Sequence, residues 1–516
     1  MKSLLFLLAA SALAAAFLFA PSARAETLEQ AIARAVQFFP EIQAAQARRD
    51  AVTAQAGQAR AELFPSVNVT AGEGRETSRN VSTRAAGSDV TLTRQEADVS
   101  ISQLLFDGGA AFGQVRRFGA RREGAAFTVN DTAEAVGSRA GHAFAEVRRL
   151  REQIGIAREN VAIHEKTLSD VSELANAGRG RRADVTQSEA RRALAVSSLE
   201  QLAGQLGQAE AAYKNLTGTL PGNLETPPEL GSKLPGRAED AVTAALGSHP
   251  AVRSAEKELE AAQYDRESAQ ARLAIPRVTV EAGASRNRDI DGIAGPNQDK
   301  YAMLRLRYNL FRGFGDSERV REAEARINEA FALLSRVRND VERDVRQAWE
   351  SLAAERVRLP VLAAYARASA DVAEAYRLQF QLGQRSLLDV LNAENESFNA
   401  RASHVAGREA VTAGEVRLLA SMGRLLDTLG VARPAETTPA SPSRFEAVRH
   451  APGAGTTVSS LPGSVVPAGT TSVGSAGALS RPDPLRDVSG AGTASLPDVP
   501  PQVATHHWQG LRMSVD

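Results

Sequence analysis

The 516-residue chain predicts a mostly α-helical protein that also carries membrane-length β-strands, built from one unit used twice. Three observations predict it. The stretch 106–218 recurs as 311–423: Phe144 and Trp349, Gly178 and Gly383, and Asp184 and Asp389 are all separated by the same 205 positions. In each copy apolar residues step by three and four for longer than a compact domain accommodates. Ahead of each long helical run, behind a proline, the apolar period falls from about 3.6 to about 2.

Composition narrows the classes. Apolar residues make up 43% of the chain but aromatics only 5%, so alanine must fill the helix interfaces and thick cores are excluded. Lys+Arg and Asp+Glu both number 61, and the resulting zero net charge shows no nucleic-acid footprint. Cysteine is absent, which removes disulfides and any lipid-attachment thiol. Residues 1–25 read as a signal peptide, with Lys2, an apolar run and the small-x-small site Ala23-Arg24-Ala25.

The first repeat spans residues 26–220. Leu28, Ala31, Ala35, Phe38, Ile42 and Ala45 begin a helix pair jointed at Pro40, and the second repeat, 237–431, starts likewise around His249-Pro250. Pro65 and Pro276 end these helices. Val67, Val69 and Ala71 then alternate with polar residues, as do Val278, Val280 and Ala282. Return strands follow through Val99 and Ile101, and through Leu304, Leu306 and Tyr308. The two β-hairpins, 66–106 and 277–311, thus supply four strands, each near the roughly 9–11 residues that cross a bilayer. The polar, glycine-rich stretches 73–96 and 284–300 read as loops, and Phe64, Phe106, Tyr301, Tyr308 and Phe311 as an aromatic belt.

Long helical hairpins follow at 110–218 and 315–430. In the first, Val129, Ala133, Val136, Ala140, Ala143, Val147, Leu150, Ile154, Ala157, Val161, His164, Leu168, Val171 and Ala175 form a seam apolar at every position but His164, which reads as a packed neutral imidazole. A helix of that length spans about 100 Å. Its copy runs from Leu334 to Phe380, interrupted at Arg338, Glu355 and Ser369. Gly178 and Gly383 cap the long helices and turn the chain. A Pro/Gly-rich connector, 221–236, joins the repeats. The tail, 432–516, is rich in Pro, Gly, Ser and Thr without periodicity and reads as disordered.

Four strands cannot close a barrel, because open strand edges are not tolerated in hydrocarbon and the smallest bacterial barrels need about eight. The chain must therefore oligomerise, with its helices extending from a shared barrel as a tube. A tube continuous with a barrel is a conduit.

The order of elements, the repeat, Leu-Phe-Asp-Gly-Gly at 105–109 with Leu-Phe-Arg-Gly at 310–313, and above all Leu-Gly-Gln-Arg-Ser-Leu-Leu-Asp-Val-Leu at 382–391 resemble the TolC family of outer-membrane efflux proteins. The resemblance covers residues 27–430. It implies a homotrimer in the outer membrane with a 12-stranded barrel, a periplasmic coiled-coil tunnel, and transport powered by an inner-membrane transporter through a periplasmic adaptor. The missing lipid cysteine favours the type I protein-secretion branch over multidrug efflux; a periplasmic coiled-coil scaffold is the remaining alternative.

The resemblance also implies site residues. Asp389 matches an aspartate at the constricted periplasmic mouth and Arg385 the tip arginine, while Asn392 stands where other members carry a second aspartate. Asp184 is the first-repeat counterpart of Asp389, beside Arg179, Arg181 and Arg182. The tips Gly178, Arg179, Gly383 and Gln384 would meet the adaptor. Arg385 and Asp389, four apart, also fit a plain helix ion pair of about 0.2–0.5 kcal/mol. Glu281, Arg305 and Arg307 fall on the polar strand face, towards the lumen, with Val278, Val280, Leu304 and Leu306 towards lipid. Gly155 and Pro360, again 205 apart, weaken their helices and are candidate bends. His506-His507 lacks spaced partners, so no metal or other cofactor is expected. Without a phosphate loop, nucleophile elbow or metal helix the chain does not read as an enzyme.

Overall fold

Thr27 starts the helical structure: its hydroxyl accepts from the Gln30 amide, the Gln30 side chain returns the bond, and helix α1 (Leu28–Phe38) follows. In this computed structural model, which describes residues 25–85, 87 and 89–434, α2 (Pro40–Ala61) then leads into β1 (Ser66–Ser78), the short α3 (Val81–Ala85) and β2 (Val90–Phe106). The long α4 (Ala110–Asn176) and its return α5 (Arg182–Thr217) complete the first repeat. The second comprises α6 (Ala238–Ser248), α7 (Pro250–Ala274), β3 (Arg277–Ile290), β4 (Ile293–Arg307), α8 (Gly315–Gln381), α9 (Leu387–Ser421) and α10 (Leu425–Leu429). The expected signal peptide, except its last residue, and nearly all of the expected tail, including His506 and His507, lie outside the described residues.

The four strands form one antiparallel sheet in the order β1-β2-β3-β4. They run 13 to 17 residues, longer than the membrane crossing alone requires. The stretches read as loops are mostly strand. Ladder pairing continues through Glu76 opposite Leu92 to Ser78 opposite Val90, and through Arg288 opposite Pro296. Backbone hydrogen bonds hold the strands together irrespective of side-chain polarity, so pairing outlasts the apolar pattern that reveals it. Tyr301 also departs from the expected belt: it sits within β4 opposite Gly283.

Register sorts the side chains. Val67 with Ile101, Val69 with Val99, Ile101 with Ala282, and Val280 with Leu304 share one face. Asn68, Asp98, Glu281 and Arg305 lie on the other. Along β2, Ala97, Val99 and Ile101 are exposed whereas Glu96, Asp98 and Ser100 are half-buried. That alternation is the signature of a curved sheet with an apolar convex and a polar concave face.

The helices bury two main apolar cores, one centred on each long helix, and both draw on the end of the second repeat. Leu28, Ile32, Val136, Phe144 and Tyr213 pack with Leu425 and Leu426, and Val242, Val252, Leu334, Val345 and Leu352 pack with Leu418 and Met422. Helix α4 is the common neighbour, touching α1, α2, α5, α7 and α9. Small residues let the helices approach: a Cβ on Gly141 would lie 2.7 Å from Val416 Cγ1. Gly155 and Pro360 lie inside helices that run unbroken through both.

Two buried titratable groups brace this middle layer. Glu134, 2% exposed, accepts from the amides of Leu425 (2.9 Å) and Leu426 (3.4 Å) with Oε2, while its Oε1 has no partner. Burial pushes its carboxyl from 4.5 up to about 7, against the pull of those amides and of Arg433. His249 Nδ1 accepts from the Ala251 amide at 3.2 Å and so caps α7. Burial pushes this imidazole from 6.5 down to about 4, with Asp344 opposing the shift.

The folded chain holds a proton on Glu134 that the unfolded chain has released, so stability from this site is complete below about pH 4.5 and lost as pH rises through about 7. Thermal unfolding in detergent should therefore show Glu134→Gln gaining on wild type between pH 5 and 8, towards about 3 kcal/mol. The His249 effect has the opposite sign: its stability is present above about pH 6.5 and falls towards pH 4, in both proteins. Gly141→Val should cost about 1–3 kcal/mol in the same assay by forcing α4 from α9.

Candidate functional site: the hairpin tips and the concave sheet face

At the tip of the first hairpin, Gly178 adopts φ +71, and the amides of Gly178 and Arg179 return to the carbonyls of Ala175 (3.0 Å) and Leu174 (2.9 Å). The second hairpin repeats the arrangement: Gly383 has φ +73, with Gly383 bonded to Phe380 (2.9 Å) and Gln384 to Gln379 (2.8 Å). Both are helix ends that need a left-handed residue, which glycine supplies without strain. Gly178, Arg179, Gly383 and Gln384 are all exposed there.

The return helices begin differently. Ser386 caps α9: its hydroxyl accepts from the Asp389 amide (3.2 Å) and donates to Asp389 Oδ2 (2.8 Å). Arg181 caps α5 with no side-chain bond, leaving Asp184 half-buried in the first turn, where the helix dipole favours a carboxylate. Arg179, Arg181 and Arg182 are exposed and make no ion pair among the described residues.

Arg385 does not pair with Asp389. It precedes the cap, outside the helix, so the four-residue spacing brings no helical proximity. Its guanidinium instead lies 4.2 Å from the Tyr376 ring centroid, and its Nε donates to Gln379 Oε1 at 3.0 Å. Asn392 accepts from Arg191 at 3.2 Å, linking α9 to α5. Of the mouth candidates, Asp184 and Asp389 stand at equivalent places in the first turns of the two return helices, whereas Arg385 precedes its helix and Asn392 lies in the second turn.

Sequence reasoning missed what ties the tips together. Val171, Val185, Phe380, Leu387 and Leu391 form an apolar cluster drawn from all four helix ends. Arg377 pairs with the buried Glu394 at 2.9 Å beneath it. The spacing of Leu387 and Leu391 was the available signal; no sequence pattern marked Glu394.

On the concave sheet face, Glu281 pairs with Arg305 at 2.8 Å, while Arg307 lies opposite Arg277 at the helix-proximal end. Arg94 bridges Glu76 (2.9 Å) and Glu96 (2.8 Å), a triad inside the stretch read as loop. Among the described residues no group of three or more His, Cys, Asp or Glu side chains could hold a metal. No described helix is long and apolar enough to cross a membrane.

A family model described as outer membrane efflux protein matches residues 30–219 and 241–424, one block per repeat. The outer membrane efflux protein BepC of Brucella suis biovar 1 (strain 1330) is 26% identical over 343 residues, covering 64% of this chain and 73% of that protein. Protein CyaE of Bordetella pertussis is 28% identical over 413 residues, covering 77% and 84%. The crystal structure of the Campylobacter jejuni CmeC outer membrane channel superposes with a TM-score of 0.68 at 14% identity, covering 80% of this chain and 87% of that one.

Leu391→Ala should open the tip cluster at a cost of about 2–5 kcal/mol. Hydrogen exchange should then accelerate at the two turns around Gly178 and Gly383 while the strand amides keep wild-type protection.

Proposed function

This chain belongs to the outer membrane efflux protein family and resides in the outer membrane, and from that premise we propose that it is one subunit of a passive trimeric duct across the periplasm and outer membrane. The observation that carries the reading is the four-stranded sheet, apolar on its convex face and open at both edges, continuous with 67-residue helices. Hydrocarbon does not tolerate unpaired edges, so β1 and β4 need strands from other copies, and three copies close a barrel of about twelve strands. The concave charges Glu281, Arg305 and Arg307 would then line the lumen.

The helical hairpins would form the tunnel, with their tips as its periplasmic mouth. The exposed Gly178, Arg179, Gly383 and Gln384 would meet a periplasmic adaptor, itself coupled to an inner-membrane transporter that supplies the energy. Asp184 and Asp389 would constrict and select at the mouth, with Arg385 and Asn392 holding its helix ends. Pro360 leaves the Arg356 carbonyl without its ladder partner, which supports flexing of the shafts there and at Gly155. The absence of a lipid-attachment cysteine supports protein secretion over drug efflux, the alternative that fits the name of the BepC relative.

Incorporated into a planar bilayer, the purified protein should give single channels, and Asp389→Ala should raise conductance and lower cation preference. Wild-type conductance and ion preference in that variant would remove Asp389 from the mouth. Recovery of the chain as a soluble monomer, in place of a heat-modifiable trimer in outer-membrane fractions, would overturn the duct itself. Deletion should deplete an exported protein from the medium; drug sensitivity without that loss would point to efflux.

A further inference from the structure

The sheet sorts its charges by face. On the convex face the apolar band ends at Ala71 of β1, Ala97 of β2, Ala284 of β3 and Ala302 of β4. Past it, towards the hairpin turns, the same face presents Arg75, Arg286, Arg288 and Lys300. Arg75 opposes Thr93, Arg286 opposes Gln298, Arg288 opposes Gln95 and Pro296, and Lys300 opposes Ala284, so no carboxylate faces any of them across the ladder. The one acidic side chain on this face among the paired positions, Glu73, accepts from Gln95 at 3.3 Å.

The concave face at the same level is the reverse. It carries Glu76, Glu96, Asp98 and Asp299, and its Arg94 is satisfied by the first two. All four convex cations are exposed. Arg288 reaches Asp289 only at 3.8 Å, and the side chains of Arg75, Arg286 and Lys300 have no hydrogen-bond or ion-pair partner among the described residues.

The two rims of the apolar band also differ. At the helix-proximal rim Phe64, Phe106, Tyr308 and Phe311 stand exposed, an aromatic edge suited to a membrane interface. The cations stand at the hairpin rim, which faces the cell exterior when the helices occupy the periplasm. Their apolar stems can lie along the strand surface while the charged heads reach the interface. A guanidinium fork matches phosphate oxygens in bidentate geometry.

We propose that Arg75, Arg286, Arg288 and Lys300 form a lipid-headgroup site on the outer rim of the barrel that takes the phosphate groups of an anionic glycolipid of the outer leaflet. Each basic side chain near an anionic lipid surface shifts partitioning by about fivefold, and every copy of the chain contributes four. Positive charge on the lipid side and mostly negative charge on the lumen side at this level, where Arg94 is already held by Glu76 and Glu96, would fix the barrel's depth without adding unpaired cations to the conduit there.

The test uses the full-length oligomer in neutral detergent, supplied with bisphosphorylated lipid A or with the same lipid after enzymatic dephosphorylation, and counts retained lipid by native mass spectrometry. Wild type should retain the phosphorylated form more than about tenfold better. The quadruple variant R75Q/R286Q/R288Q/K300Q should lose that preference, whereas Arg158→Gln on the α4 shaft should keep it. Equal retention of the two lipids by wild type, or undiminished preference in a quadruple variant that remains a heat-modifiable oligomer, would overturn the proposal. So would displacement of the lipid by equimolar inorganic phosphate, which would make the rim a free-anion site. Should the quadruple variant not assemble, R286Q/K300Q alone must show an intermediate loss.

Discussion

An unpaired strand edge cannot face hydrocarbon, and most of this molecule follows from that constraint. One chain offers four strands with edges at β1 and β4, so the membrane part is unfinished until other copies supply neighbours. Closure curves the sheet, and curvature creates two environments from one alternating sequence. The convex side takes Val67, Val69, Val99 and Ile101, and the concave side takes Asn68, Asp98, Glu281 and Arg305. Because β1 and β3 each emerge from a helix and β2 and β4 each lead into one, the same closure brings the helices into a ring beneath the barrel.

Below the sheet the packing problem changes. Helices about 100 Å long cannot share a thick core. They bury narrow seams of alanine and valine, with glycine where a side chain of the next helix presses against the backbone, as Val416 does at Gly141. The thickest apolar packing lies where the short helices α1, α6 and α10 wrap the long ones. There the chain also buries Glu134, tied to two backbone amides of α10, and His249, tied to the Ala251 amide at the start of its own helix. The duplicate halves diverge at this level: the joint beside Gly218 carries the Phe38 ring, and the joint beside Gly423 carries His249 and Pro250. They diverge again at the tips, where three arginines without an ion pair among the described residues in one repeat answer a single stacked arginine in the other.

Much of this was legible in order of residues alone. A repeat of constant offset, a seam of period near 3.6, and a switch to period 2 behind proline are local patterns, and local patterns survive without knowledge of the fold. The strand ends were not legible, because ladder pairing through Glu76, Arg94 and Arg288 rests on backbone bonds that leave no apolar trace. The tip was half legible. Gly178 and Gly383 announce turns, but the position of Ser386 as cap, which excludes Arg385 from the helix and from Asp389, depends on one residue of register.

The sequence by itself determined the element order, the duplication, the faces of the strands and the need for more than one copy, since each rests on periodicity or on the number of strands. Tertiary structure alone decided which charges find partners. Glu134 meets the amides of residues nearly three hundred positions away, Arg94 meets Glu76 across a hairpin, and the side chains of Arg75, Arg286 and Lys300 have no hydrogen-bond or ion-pair partner among the described residues. Charge pairing falls off over a few ångströms and ignores sequence distance, so it becomes readable only when the chain is folded.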